Sequence, residues 1–257
     1  MGSASAATVE KALDVLFHLH DAGAALGLSE IGRDLDLPKS SCHRLLAALV
    51  NRELVERDAS GHYRPGLGLL ALGIGAQNRE PVVQAARPVL EQESGAFGET
   101  VFLVGMRHGK LRVLDKFEGS GFLRATPAVG DVVPRDVTAA GKLYRVFGEG
   151  LEQGATSGDG NADREPTEAA EIRRRGFAIN RDAWIEGLSV LGVPIWQQAG
   201  SSPGRMVACL ALAAASARFD VLGEEEIATR LLVAADDVAG RLSGRRSPGL
   251  PTGKHSR

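Results

Sequence analysis

Residues 28–66, LSEIGRDLDLPKSSCHRLLAALVNRELVERDASGHYRPG, decide the fold of the N-terminal part of the chain. Pro38 separates two short helical patterns, predicted over residues 29–35, with Ser29 as the cap, and 38–51. The second repeats apolar residues on one helix face, namely Cys42, Leu45, Leu46 and Leu49. Residues 54–58 and 62–65 then read as two strands joined by a turn that contains Gly61.

A further helical pattern comes before these elements, over residues 8–20, and its apolar stripe consists of Val9, Leu13, Leu16 and Phe17. The order is therefore helix, short helix, helix and hairpin. This order predicts a winged helix-turn-helix domain over residues 1–66.

The chain after residue 66 changes character twice. Residues 67–80 predict a helical linker, and residues 81–244 predict a mixed α/β domain, so the fold class is α+β. The predicted strands of this domain cover residues 100–107, 111–117, 189–196 and 207–212, and its predicted helices cover residues 82–94, 139–149, 165–175 and 224–241. Residues 154–162 read as a surface loop, and residues 245–257 form a basic tail that we expect to be disordered.

Composition excludes several classes of protein. The 257 residues carry a net charge of -2, so any surface for nucleic acid must be local. The longest apolar run, residues 206–215, is too short to cross a membrane, and the start lacks a secretory signal, so we expect a cytoplasmic protein. Cys42 and Cys209 form no CxxC motif, which argues against a zinc site or a disulfide framework.

The third helix presents a basic face that can bind DNA. Helical geometry places Ser40, Arg44, Ala47 and Asn51 opposite the apolar stripe, with His43 beside them. Residues 37–52 contain three Lys or Arg and no acid. We expect Ser40 and Arg44 to reach base edges, and the flanking Lys39, Ser41 and Arg52 to hold phosphates. His62 and Arg64 of the predicted hairpin are expected to touch the DNA backbone or the minor groove. The alternatives are a solvated helix face or a module that binds protein.

The whole stretch TVEKALDVLFHLHDAGAALGLSEIGRDLDLPKSSCHRLLAALVNRELVERDASGHYRPGLGLLALG, residues 8–73, resembles the DNA-binding domain of the isocitrate lyase regulator (IclR) family of bacterial transcription factors. Further motifs similar to the family follow in order: ARPVLE at 86–91, GETVFLV at 98–104, TAAGK at 138–142, RRRGFAIN at 173–180 and GLSVLGVPI at 187–195. The resemblance implies a C-terminal effector-binding domain similar to GAF and PAS folds. It also implies homodimers or tetramers on palindromic promoter operators, with repression or activation of catabolic or related genes.

The resemblance also implies an effector site beside the TAAGK helix, with Ala139, Ala140 and Gly141 at its floor. A helix N-terminus can hold a carboxylate through its free N–H groups, although small residues there are equally explained by tight packing. Small-acid sensors of the family carry an acid, a Cys or Ser, and serines at positions where this chain has Asn180, Val190, Ala211 and Ala213. The chain thus predicts an apolar or aromatic carboxylic acid as effector, or else a pocket that binds nothing.

Catalytic motifs are not convincing in this chain. Residues 187–192, GLSVLG, miss the GxSxG spacing by one residue, and the histidines form no HExxH motif. Residues 66–71 match GxGxxA but follow a predicted hairpin rather than a βαβ unit. We therefore predict no enzyme, no cofactor and no metal.

Overall fold

The computed structural model describes residues 2–121, 127–148, 165–199 and 202–244, and the chain divides into two units between Gln77 and Asn78. The predicted loop at residues 154–162 and the predicted tail at residues 245–257 lie outside the described residues. In the first unit, the elements are α1 (Gly2–Asp21), α2 (Leu28–Asp34), α3 (Lys39–Val50), β1 (Val55–Arg57), β2 (Tyr63–Pro65) and α4 (Leu67–Gln77). The winged helix-turn-helix prediction is confirmed.

The apolar face of α3 packs as its periodicity predicts. Cys42, Leu46 and Leu49 are buried in the core of the unit with Val15 and Leu19 of α1. In α1, however, three members of the predicted stripe, Val9, Leu13 and Phe17, are exposed, and only Leu16 is half-buried. The helix was predicted, but it begins at Gly2 rather than near residue 8, and tertiary packing turns a different face of α1 toward the core.

The start of α2 differs from its prediction. Gly27 is the N-cap rather than Ser29, because the Glu30 carboxylate reaches back and accepts the Gly27 N–H at 2.7 Å. A glycine inside α2 is explained by the turn that follows, since a Cβ on Gly32 would lie 3.2 Å from the Leu37 carbonyl oxygen. Close approach of the turn to α2 therefore favours a residue without a side chain there.

Strands β1 and β2 form an antiparallel hairpin in which Glu56 pairs with Arg64. Helix α4 begins against this hairpin, and the Gly68 N–H donates to the Glu53 carbonyl at 2.9 Å. The GxGxxA match at residues 66–71 thus lies at the end of a hairpin and the start of a helix, as the sequence predicted, and not in a βαβ unit.

In the second unit, six described strands form one antiparallel sheet in the order β5-β4-β3-β8-β7-β6. They are β3 (Thr100–Arg107), β4 (Lys110–Phe117), β5 (Val132–Val133), β6 (Ala178–Arg181), β7 (Leu188–Ala199) and β8 (Ser202–Ala215). The helices are α5 (Pro81–Phe97), α6 (Ala139–Phe147), α7 (Glu165–Arg175), α8 (Ser216–Leu222) and α9 (Glu224–Leu242). Elements β5, β6 and α8 were not predicted.

The two faces of this sheet carry separate cores. Helices α5 and α9 pack on one face, where alternate strand residues such as Leu103, Leu191 and Leu210 are buried. Helix α6 packs on the other face, close to Gly192 of β7. A Cβ on Gly192 would lie 3.4 Å from Ala139 Cβ and Leu143 Cδ1 of α6, and 2.8 Å from Cys209 Sγ of β8. The α+β fold class is confirmed.

The two cysteines lie in different units, Cys42 in the first and Cys209 in the second, and both are free. Burial raises the pKa of each thiol above its ordinary value, so both stay protonated at neutral pH. No helix in the described ranges has the length and apolar character needed to span a membrane.

Candidate nucleic-acid interface and effector site

Helix α3 presents the predicted DNA-binding side chains to solvent. Seven of them are exposed, namely Lys39, Ser40, His43, Arg44, Ala47, Asn51 and Arg52, and Ser41 is half-buried. Within the described part of the chain, neither Arg44 nor Arg52 nor Lys39 takes part in an ion pair. The positive charge of this helix face is therefore available to a partner.

The first turn of α3 adds backbone donors to this face. Its N-cap, Pro38, has no polar side chain to accept a hydrogen bond, and the first α3 residue with a helical backbone acceptor is Cys42, which donates to the Pro38 carbonyl at 3.0 Å. The preceding N–H groups in this turn, including those of Lys39 and Ser40, point out of the helix at its positive end. Such a turn can hold a phosphate oxygen.

The two predicted DNA contacts on the hairpin, Arg64 and His62, already form side-chain hydrogen bonds within it. Arg64 donates from Nη2 and Nε to Glu56 Oε2 at 2.9 and 3.2 Å. The His62 ring is half-buried, and its Nδ1 lies 2.9 Å from Ser60 Oγ. Both side chains hold the hairpin together in this structure, and their predicted contacts with the DNA backbone remain predictions.

The predicted effector residues of the strands lie on the face of the sheet that α6 covers. Register places Asn180, Val190 and Ala213 side by side on β6, β7 and β8, and Ala211 lies two residues before Ala213 on β8. All four are buried. The sequence thus selected residues that the sheet brings together.

The N-terminus of α6 meets this row through small residues. Thr138 caps the helix, with its Oγ1 accepting the Gly141 N–H at 3.1 Å. Ala139 and Ala140 are buried, and a Cβ on Gly141 would lie 1.8 Å from the Arg135 carbonyl oxygen. Tight packing is therefore a sufficient reason for these small residues, and their role at an effector floor stays a prediction.

Asn180 differs from its neighbours because it is a buried polar side chain that is only half satisfied. It is 1% exposed, and its Oδ1 accepts the Ala183 N–H at 3.1 Å. Among the described residues, none forms a hydrogen bond with its Nδ2. A buried donor of this kind is unfavourable unless a ligand or water supplies an acceptor.

A cavity of about 580 Å³ opens at the opposite end of α6, and none of the seven predicted effector residues lines it. Its wall includes Tyr144 of α6, Arg107 of β3, and Gln197 and Arg205 of β7 and β8. This cavity was not predicted from the sequence, because the residues that line it come from distant segments of the chain.

Comparisons with known proteins agree with this arrangement. A family model described as the IclR helix-turn-helix domain matches residues 8–59. The probable transcriptional regulator SauR of Cupriavidus necator is 28% identical over 225 residues, which cover 83% of this chain and 87% of SauR. The HTH-type transcriptional repressor AllR of Escherichia coli K12 is 26% identical over 227 residues, covering 83% of this chain and 82% of AllR.

A solved structure shares the fold across both units. It is an IclR homolog from Microbacterium hydrocarbonoxydans complexed with 4-hydroxybenzoate, which superposes with a TM-score of 0.74 at 20% identity and covers 92% of this chain and 99% of its own. The winged helix matches the family model, and the relatives that match most of the chain are transcriptional regulators. The chain is therefore a transcriptional regulator that carries an IclR helix-turn-helix domain.

Proposed function

We propose that this regulator recognises a specific operator sequence through α3 and that a small carboxylic acid modulates its binding to DNA. The observation that carries the first part is the exposed face of α3, where Arg44 has no ion-pair partner among the described residues. A guanidinium in this position can donate two hydrogen bonds to a guanine edge in the major groove. Lys39 and Arg52 at the ends of α3 suit contacts with phosphates.

We further propose that two copies bind a palindromic operator, since each recognition helix then meets an equivalent half-site. The exposed apolar side chains of the first unit support a contact with a second copy. They are Val9, Leu13 and Phe17 on α1 and Leu67, Leu70, Leu72 and Ile74 on α4. Sedimentation equilibrium of the purified chain tests this proposal, and a monomer at micromolar concentration would contradict it.

Replacement of Arg44 by alanine tests sequence recognition. Fluorescence anisotropy with duplex DNA from upstream of the protein's own gene, and with scrambled DNA of the same length, measures Kd for both. We expect Arg44→Ala to raise Kd for the upstream DNA about 5- to 150-fold, because a bidentate contact with a base contributes about 1 to 3 kcal/mol. Binding to scrambled DNA should change far less.

Arg174→Ala is the matched control, because Arg174 is an exposed arginine of α7 whose side chain is 74% accessible. It removes the same charge from the second unit and should leave both Kd values unchanged. Equal, salt-sensitive binding of the unmodified protein to both DNAs would argue against recognition of the upstream sequence. An unchanged Kd in Arg44→Ala would remove Arg44 from the proposed interface.

The proposed effector is an apolar or aromatic carboxylic acid at the N-terminus of α6. The 4-hydroxybenzoate bound by the Microbacterium homolog belongs to this chemical class and supports the proposal. Buried alanine and valine side chains suit an apolar body, and the unpartnered Nδ2 of Asn180 can donate to a carboxylate oxygen. The side chains of the site would have to move to admit the acid, because they are packed in this structure.

Asn180→Asp tests this site. Aspartate can keep the bond from the Ala183 N–H, but its second oxygen replaces the free donor and repels a carboxylate. In calorimetric titration we expect the affinity of the variant for 4-hydroxybenzoate to be at least about tenfold lower than that of the unmodified protein. If the unmodified protein shows two binding events, we expect one of them to be absent in the variant.

The neutral analogue 4-hydroxybenzamide is the ligand control, and it should bind both proteins weakly and equally. Circular dichroism establishes that the variant is folded. The effector proposal fails if a panel of aromatic and aliphatic carboxylic acids gives no heat with the unmodified protein. It also fails if Asn180→Asp binds every acid of the panel with unchanged affinity.

A further inference from the structure

The cavity at the C-terminal end of α6 exists because β3 and β8 separate there. Direct pairing of these strands ends at Val104 and Cys209, and the same register would next bring the Met106 N–H to the Val207 carbonyl. Instead, the Tyr144 hydroxyl accepts the Met106 N–H at 3.1 Å and donates to the Val207 carbonyl at 3.2 Å. The phenol thus bridges two strands that would otherwise pair directly.

The chemistry of Tyr144 keeps this bridge intact. Burial raises the pKa of its hydroxyl to about 12, so the hydroxyl is neutral at physiological pH and can donate to the carbonyl. The guanidinium groups of Arg107 and Arg205 both act to lower that pKa, so both positive charges lie near the bridge. Two hydrogen bonds of the neutral hydroxyl therefore connect the separated strands, and two arginine side chains lie near this bridge.

The two arginines differ in their availability. Arg107 is paired with Glu80 at 2.6 Å and also donates to the Met106 carbonyl at 2.8 Å. Arg205 is exposed and has no ion-pair or hydrogen-bond partner within the described ranges. Its cross-strand neighbour is Gln197, whose amide can donate as well. One free cation and one amide therefore face the cavity together.

Apolar side chains line the rest of the cavity beside Gly148, so its surface is polar and apolar in similar measure; they are Pro81, Val82, Met106, Met206, Val207 and Leu242. The volume of about 580 Å³ falls in the usual range for a small-molecule site. The ionised groups of the wall are Arg107, Arg205 and Glu80, which leaves one positive charge in excess. This balance suits a single negative charge, while Glu80 disfavours a dianion.

We propose that this cavity is a second ligand site, separate from the site at the N-terminus of α6, and that it binds an amphipathic monocarboxylate. The carboxylate pairs with Arg205 and Gln197, and the apolar body contacts the two methionines and Leu242. The ligand also approaches Glu80, which is the N-cap of α5 and lies three residues after the last residue of α4. Occupancy therefore acts on the segment that enters the second unit.

The test uses the full chain and 4-iodobenzoate, a monoanion whose iodine can be located by anomalous scattering. Titration is carried out in the Asn180→Asp protein, so that binding at the other proposed site does not contribute. We expect binding to persist in that protein and iodine to lie in the cavity. Adding Arg205→Gln should weaken binding about 10- to 150-fold, because a charge-assisted hydrogen bond is lost.

Arg174→Gln is the matched control, since it removes an exposed guanidinium from α7 and should not change the affinity. 4-Iodobenzamide, which lacks the negative charge, should bind poorly to all variants. The proposal is overturned if Arg205→Gln binds 4-iodobenzoate as tightly as its parent, or if iodine occupies only the site near Asn180. It is equally overturned if iodine enters the cavity in crystals while titration in solution gives no heat.

Discussion

Gly141→Ala is expected to lower the melting temperature of the second unit by about 6 to 12 °C, equivalent to about 3 kcal/mol of unfolding free energy. The added Cβ would lie 1.8 Å from the Arg135 carbonyl oxygen and 2.5 Å from its carbonyl carbon. Because both atoms belong to the backbone, no side-chain rotation relieves the contact. Helix α6 or the turn before it must move, and the hydrogen bond from Gly141 to Thr138 is strained with them. Differential scanning calorimetry measures the change.

Gly95→Ala is the matched control, because Gly95 lies inside α5 and a Cβ there has no neighbour within 4 Å. Alanine has the higher helix propensity, so this variant should keep or raise the melting temperature, by up to about 1 kcal/mol in stability. If both variants melt alike, Gly141 is not required by packing, and its proposed part in ligand binding gains weight. A large loss in Gly141→Ala alone makes tight packing the first reason for this glycine.

Arg230→Ala is expected to destabilise the second unit by about 3 kcal/mol, because it leaves a buried carboxylate without its partner. Arg230 of α9 donates from Nη2 and Nε to Glu93 Oε2 of α5 at 2.8 and 3.1 Å. The Glu93 side chain is only 5% exposed, and the Arg230 guanidinium also stacks over the Phe97 ring at 4.7 Å. Urea unfolding followed by circular dichroism gives the difference in free energy.

Arg241→Ala provides the comparison on the same helix. Arg241 pairs with Asp237 one turn away on α9, and their side chains are 41% and 16% exposed, against 5% for Glu93. An i, i+4 helix pair in contact with solvent contributes about 0.3 to 0.5 kcal/mol. The double variant Glu93→Gln, Arg230→Ala should recover part of the loss, since the unpaired charge is gone. Equal effects of Arg230→Ala and Arg241→Ala would contradict the argument from burial.

The sequence was most informative where a local repeat decides which face of an element is buried. The spacing of Cys42, Leu46 and Leu49 predicted the buried face of α3 and, with it, the exposed position of Arg44. The same reasoning misled for α1, where Val9, Leu13 and Phe17 repeat regularly and yet are exposed. Periodicity identifies an apolar stripe, but it does not say whether the fold of one chain covers that stripe.

The residues of the proposed effector site could be predicted from the sequence only through the order of the motifs along the chain. That order led to Asn180, Val190, Ala211 and Ala213, and the register of β6, β7 and β8 places them on one face. The free amide of Asn180 could not be foreseen, because whether a buried donor finds an acceptor depends on every neighbour around it.

The sequence by itself determined the winged helix, the basic face of α3 and the mixed α/β character of the second unit, because each follows from residue types at short, regular spacings. The tertiary structure alone decided the bridge from Tyr144 to Met106 and Val207, the cavity beside it and the free guanidinium of Arg205. These features join residues more than 30 positions apart along the chain, such as Met106 and Tyr144. They arise from strand register and helix packing, which local patterns favour but do not specify.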